Sequence, residues 1–137
     1  VRIISGFLKG RRIKIMKGFH SRPTTDFGKE GLFNILEHSI ELNQIKVLDL
    51  FAGTGGVSFE FISRGARLMH SVDSSFKAIR FIKNTSSSLG IEAKCHQITK
   101  SEAKKFLEKT NDQYDVIFAD PPFDYGEYKR IILSIKE

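Results

Sequence analysis

Tryptophan is absent from this chain, cysteine occurs once and proline three times in 137 residues. A lone thiol, Cys95, rules out an internal disulfide framework and agrees with a reducing compartment. No apolar run approaches the roughly 20 residues of a membrane span, and no charged-then-apolar secretion signal opens the chain. With 40% apolar content, 137 residues can bury one core but not two, so a single soluble, cytoplasmic domain is the expectation. His20, His38, His70 and His96 show no metal-ligand spacing with Cys95 or with one another. Ser58, Ser63 and Ser74 lack a nucleophile-elbow context, so neither hydrolysis nor a bound metal is expected.

Charge of one sign is concentrated rather than lacking. Residues 1–29 carry Arg2, Lys9, Arg11, Arg12, Lys14, Lys17, Arg22 and Lys29 against Asp26 alone, whereas the other 108 residues hold 14 basic and 15 acidic groups. The whole surplus of +6 therefore comes from one segment. A localised positive patch interleaved with glycines and aromatics is the footprint of a phosphate-backbone binder. The bland alternative is a solvated, solubilising surface.

Within that segment, Val1–Ile4 and Arg12–Met16 resemble short strands joined through Gly6-Phe7-Leu8-Lys9-Gly10, hence a hairpin or looser extended pair. Alternation places Arg12 and Lys14 on one face. Pro23 sets an extended turn, and Thr25 or Asp26 can cap a following helix whose core stripe would be Phe27, Leu32, Phe33, Ile35, Leu36 and Ile40. From Ile45 onward strands near 46–50, 67–72, 93–98 and 115–119 alternate with helices near 56–64, 75–88, 101–110 and 126–136. Such alternation predicts a Rossmann-like, doubly wound parallel α/β sheet.

Two loops at one edge of that sheet carry the chemistry. After the first strand, Gly53-Thr54-Gly55-Gly56 lets the backbone turn sharply beside a ligand and opens a helix whose amides face it. No Gly-Lys-Ser/Thr follows, so this is not a triphosphate loop, and the third glycine of a dinucleotide site is missing. Asp49 ahead of the loop would repel a pyrophosphate but attract an ammonium group. Asp73, 24 residues on, suits ribose hydroxyls, with a simple helix cap as the alternative. Together these favour S-adenosylmethionine over NAD.

The second loop is Asp120-Pro121-Pro122-Phe123. Neither proline nitrogen can donate, so the loop offers only acceptors, the Asp120 carboxylate and peptide carbonyls. An exocyclic base amine has two N–H donors and a lone pair delocalised into its ring. Holding both hydrogens frees that lone pair for in-line methyl transfer, with Phe123 stacked on the base.

These residues carry a family resemblance. Asp49-x-Phe51-Ala52-Gly53-Thr54-Gly55 and Asp120-Pro121-Pro122-Phe123 resemble class I S-adenosylmethionine-dependent methyltransferases. Arg2-Ile3-Ile4-x-Gly6-x-x-x-Gly10-Arg11, Arg22-Pro23-Thr24-Thr25-Asp26 and Leu32-Phe33-Asn34 narrow the likeness to the RsmD-type enzymes, which methylate the N2 amine of a guanine in bacterial small-subunit (16S) ribosomal RNA. The resemblance implies that Asp49, Phe51, Gly53 and Gly55 hold the methionine part, Asp73 the ribose, and Thr24 and Thr25 a lid. Asp120 to Phe123 would bind the target, and Arg2, Arg11, Arg12 and Arg22 the RNA phosphates. Glu102 falls where an Asp or Asn usually meets the adenine amine, and it can equally be the third helical residue of a capping box with Thr99.

The resemblance also implies seven strands, whereas four are legible. Residues 1–25 are expected to form a basic extension and 26–137 a methyltransferase domain lacking its last strands, with the fourth strand an open edge prone to self-association. The alternatives are a DNA adenine-N6 or protein amide-nitrogen methyltransferase, and a non-catalytic RNA-binding fragment. The first usually shows Pro-Pro-Tyr where Phe123 stands.

Overall fold

The structure, a computed structural model, describes residues 2–14, 25–121 and 130–133. The elements run α1 (Asp26–Ser39), β1 (Lys46–Leu50), α2 (Gly56–Ser63), β2 (Leu68–Asp73), α3 (Phe76–Ser88), β3 (His96–Lys100), α4 (Ala103–Lys109), β4 (Val116–Ala119) and β5 (Arg130–Leu133). They form one sheet in the order β3-β2-β1-β4-β5, in which β1 to β4 are mutually parallel. Helical crossovers account for this, since parallel neighbours need a connection long enough to return the chain to its starting edge.

The sheet is covered on both faces, and strand alternation decides which side chains go where. Val47, Met69, Val116 and Phe118 pack with Phe33 and Leu36 of α1, Phe59 and Phe61 of α2 and Ile82 of α3. Leu48, Leu50 and Val72 point the other way, toward Tyr114 and Phe106 of α4. Among the described residues no helix is long and apolar enough to cross a membrane.

Three expectations change. Residues 126–136, expected as a helix, contain β5 at Arg130–Leu133, paired antiparallel with β4 from Val116↔Leu133 to Ala119↔Arg130. Ile131, Ile132 and Leu133 are an apolar run too short for periodicity to separate helix from strand, and β-branched residues favour the strand. Consequently β4 is not a sheet edge, and the self-association inferred from an open β4 loses its premise. The third strand begins at His96 rather than near 93, because Ala93–Cys95 form a 3-10 turn. On α1, Phe27 and Ile35 are exposed at 88% and 66%, and Lys29 is buried in their stead.

The N-terminal segment is built into the same core. Ile3, Leu8 and Ile13 are buried with the α1 and α2 residues, and Arg2 and Arg12 form an antiparallel bridge in place of a full hairpin ladder. Arg12 and Lys14 are both exposed, flanking buried Ile13, as the alternation requires. All eight residues of α2 are buried, because this segment covers the helix face that the sheet does not.

Candidate active site

The strand order reverses between β1 and β4, and in open α/β sheets the crevice for ligands lies beyond the carboxyl ends of the strands at that point. Register puts Leu50 beside Ala119 and Val72, and Val72 beside Thr99. The segments after β1, β2, β3 and β4 therefore emerge together, bringing Phe51 to Gly55, Asp73, Glu102 and Asp120 to one edge.

Backbone conformation shapes the loop after β1. Phe51, a non-glycine residue, has φ 59°, and Gly55 has φ 86°. A Cβ on Gly55 would lie 2.7 Å from the Phe59 ring, so α2 could not start where it does with any other residue there. Asp73 ties the loop to β2: its carboxylate accepts from Gly53 N at 2.9 Å and Ser75 N at 2.8 Å. Each carboxylate oxygen has a second lone pair for a ligand hydroxyl. The ribose role and a structural role are thus compatible in this one side chain.

Asp49 lies beneath the loop, 1% exposed. Its Oδ2 accepts from Ser58 Oγ at 2.6 Å. Burial pushes the carboxyl up to about 7, the Ser58 hydroxyl opposes this, and the charges of Asp73 and Asp120 add to the rise. Those two charges act on Asp49 because all three carboxylates converge on the same edge.

Behind Asp49 runs a buried hydrogen-bond chain that the sequence did not reveal. Ser58 Oγ meets Ser71 Oγ at 2.6 Å, Ser71 Oγ meets His96 Nε2 at 2.8 Å, and His96 Nδ1 meets Ser86 Oγ at 3.0 Å. Its direction follows from proton counting. Ser58 spends its one hydrogen on Asp49, so it must accept from Ser71, which must accept from His96 Nε2–H. Burial lowers His96 to about 4, so the ring is neutral and its Nδ1 accepts from Ser86. Ser58 and His96, bland in the sequence, thus form the support of Asp49.

Beyond β2 and β3 lies a cavity of about 300 Å³ lined by Ser74, Lys100, Ser101, Glu102 and Lys105. Ser101 N donates to Asp73 O at 3.0 Å, which places this cavity beside the ribose candidate. Glu102 is the N-cap residue of α4, not the third helical residue, and the Thr99 hydroxyl is engaged by His70 at 2.7 Å. The capping-box alternative therefore fails, while Glu102 stays exposed beside Lys105 at 3.9 Å. Lys100 and Lys105 were not legible as lining residues, since exposed lysines on a strand end and a helix carry no local signal.

Of the other candidates, Asp120 and Pro121 follow β4 directly, and Pro122 and Phe123 lie outside the described residues. Thr24 and Arg22 also lie outside them. Thr25 caps α1, its hydroxyl accepting from Gly28 N at 3.0 Å. Arg2 sits beside Asp26 at 3.9 Å, with its own amide donating to the same carboxylate. Arg11 and Arg12 are exposed on the hairpin. Among the described residues no group of three or more His, Cys, Asp or Glu side chains is placed to hold a metal ion.

The chain is similar to proteins with known names. A family model described as "Conserved hypothetical protein 95" matches residues 1–137. The ribosomal RNA small subunit methyltransferases D of Haemophilus influenzae and Escherichia coli are 33% and 34% identical over the whole chain, which covers 71% and 67% of their lengths. The solved structure of yhhF from Escherichia coli superposes with a TM-score of 0.79 at 31% identity, over 92% of this chain and 66% of that one. The chain thus spans about two thirds of its relatives. It belongs to the Conserved hypothetical protein 95 family, together with the ribosomal RNA small subunit methyltransferases D.

Proposed function

We propose that this chain is the cofactor-binding and catalytic part of an S-adenosylmethionine-dependent methyltransferase acting on the N2 amine of a guanine in small-subunit ribosomal RNA. The observation that carries this reading is the register of β1 against β4, which sets Asp120 and Pro121, immediately after β4, beside a tight glycine loop. The donor set fits the cofactor: a carboxylate at Asp73 for vicinal hydroxyls, α2 amides for a carboxylate, and a cavity of about 300 Å³ next to them for the base. When bound, the cofactor supplies an electrophilic methyl group on a sulfonium sulfur.

The protein's share of the work is positioning and proton management. Asp120 and the neighbouring carbonyls accept the two amine hydrogens, which orients the nitrogen lone pair without requiring a strong base. Proton loss follows, since the amine becomes acidic only as the new N–C bond forms, and Asp120 takes that proton. Phe123 fixes the base plane. Support for the substrate comes from the named relatives and from the basic surface of Arg11 and Arg12.

Two variants separate chemistry from binding. Asp120→Ala is expected to abolish methyl transfer with cofactor affinity held within about tenfold, and Asp73→Ala to weaken cofactor first. Unchanged turnover in the Asp120 variant overturns the assignment.

A further inference from the structure

Phe7 is 72% exposed, although its chain neighbour Leu8 is buried at 6%. An aromatic at that exposure gains nothing from the core, and its backbone is held firmly. Phe7 N donates to Ser63 O at 2.9 Å, Leu8 N to Ser63 Oγ at 2.9 Å, and Ser63 Oγ to Ser5 O at 2.6 Å. The turn is closed by Lys9 N to Gly6 O at 3.1 Å and Gly10 N to Ile3 O at 2.9 Å. Gly6 has φ +92°, and a Cβ there would come within 1.9 Å of Ser63 O, so the turn presses against the end of α2. Exposed Lys9, Arg11 and Arg12 flank it.

We propose that this hairpin tip is a nucleic-acid contact in which Phe7 stacks on an unpaired base of the RNA substrate while Lys9 and Arg11 meet the adjoining phosphates. The proposal rests on the rRNA reading above and adds a recognition residue to it. A rigid mount matters because stacking on a preorganised ring avoids the entropy of ordering it on binding. Cationic flanks select a polyanion over an apolar protein partner. The tip is also remote from the chemistry. It is fastened to the last residue of α2, and eight helical residues span about 12 Å. Phe7 therefore meets a nucleotide other than the one methylated.

The chain has no tryptophan, so Phe7→Trp installs a single fluorescent reporter at the proposed contact. Titration with a single-stranded oligoribonucleotide in the absence of methyl donor is expected to quench its emission, and a duplex of the same length to quench it far less. Phe7→Ala should bind about five- to hundredfold more weakly with an unchanged slope of log K against log salt. Arg11→Gln should instead lower that slope by about one. Affinity unchanged in Phe7→Ala, equal quenching by duplex, or full affinity in Phe7→Leu overturns the stacking contact. Because binding is read without catalysis, failure of methyl transfer leaves this test intact.

Discussion

Ser58 and Glu60 lie two residues apart on α2, yet they belong to opposite kinds of buried polar system. Ser58 faces the sheet and relays hydrogen bonds from His96 to the single carboxylate of Asp49. Glu60 faces the N-terminal segment. Its carboxylate accepts from Ile4 N at 2.9 Å, Ser5 N at 3.1 Å and Arg64 Nε at 2.9 Å, and it lies 3.4 Å from Lys29 Nζ, with both side chains fully buried. Lys29 in turn donates to Arg2 O at 2.6 Å. One system leaves a carboxyl short of charge compensation, next to the ligand edge. The other satisfies every charge and fastens the basic segment along α2. A group left undercompensated can respond to a ligand, whereas a saturated one holds its place.

The largest effect should come from breaking the saturated side. Glu60→Ala strands a buried ammonium, and is expected to cost about 3–5 kcal/mol in urea unfolding. Replacing both partners, Lys29→Met with Glu60→Leu, should cost less than Glu60→Ala alone, and a larger loss would mean that the pair stabilises beyond mutual compensation. Burial lowers the Lys29 pKa.

The undercompensated side predicts a pH effect instead. Asp49 is raised to about 7 in the folded protein. A raised folded value gives stability that is present below the unfolded value near pH 4 and lost as pH climbs through 7. Asp49→Asn should abolish that loss, a difference of about 4 kcal/mol between pH 4 and pH 8, while weakening cofactor binding. Because neutral, buried His96 has the opposite pH dependence in both proteins, the test is the difference between them, and wild-type and Asp49→Asn stability curves that run parallel over that window would refute the assignment. Ser58→Ala should be milder, about 1–3 kcal/mol, since it removes one buried donor and leaves Ser71 without its acceptor. In calorimetry it should also shift the pH midpoint of cofactor binding upward. Smallest is Thr25→Ala, about 1 kcal/mol from the lost α1 cap.

The same contrast explains what could be read from the residues alone. Val47 to Leu50 and Val116 to Ala119 were legible as strands because buried parallel strands are continuous apolar runs, and the glycine loop between them carried its own backbone signature. Thr25 was legible as a cap. Lys29 was not: counted in the sequence among the basic residues of a candidate phosphate-binding segment, it turns inward and is fully buried. Its place four residues before Phe33 and seven before Leu36 is the available signal, since that spacing puts it on the buried stripe instead of Phe27 or Ile35. The Ser58 to His96 chain joins α2, β2, β3 and α3, and no local pattern specifies such a meeting. The 126–136 region misled because Ile131-Ile132-Leu133 suits either element, and pairing with β4 decided it.

The measurement that bears most directly on the central claim is transfer of labelled methyl from S-adenosylmethionine to small ribosomal subunits and, in parallel, to duplex DNA, followed by nucleoside analysis. The proposed function predicts N2-methylguanosine from the ribosomal sample alone. Label in DNA adenine, or none in either sample from this chain and from a C-terminally extended form, would contradict it.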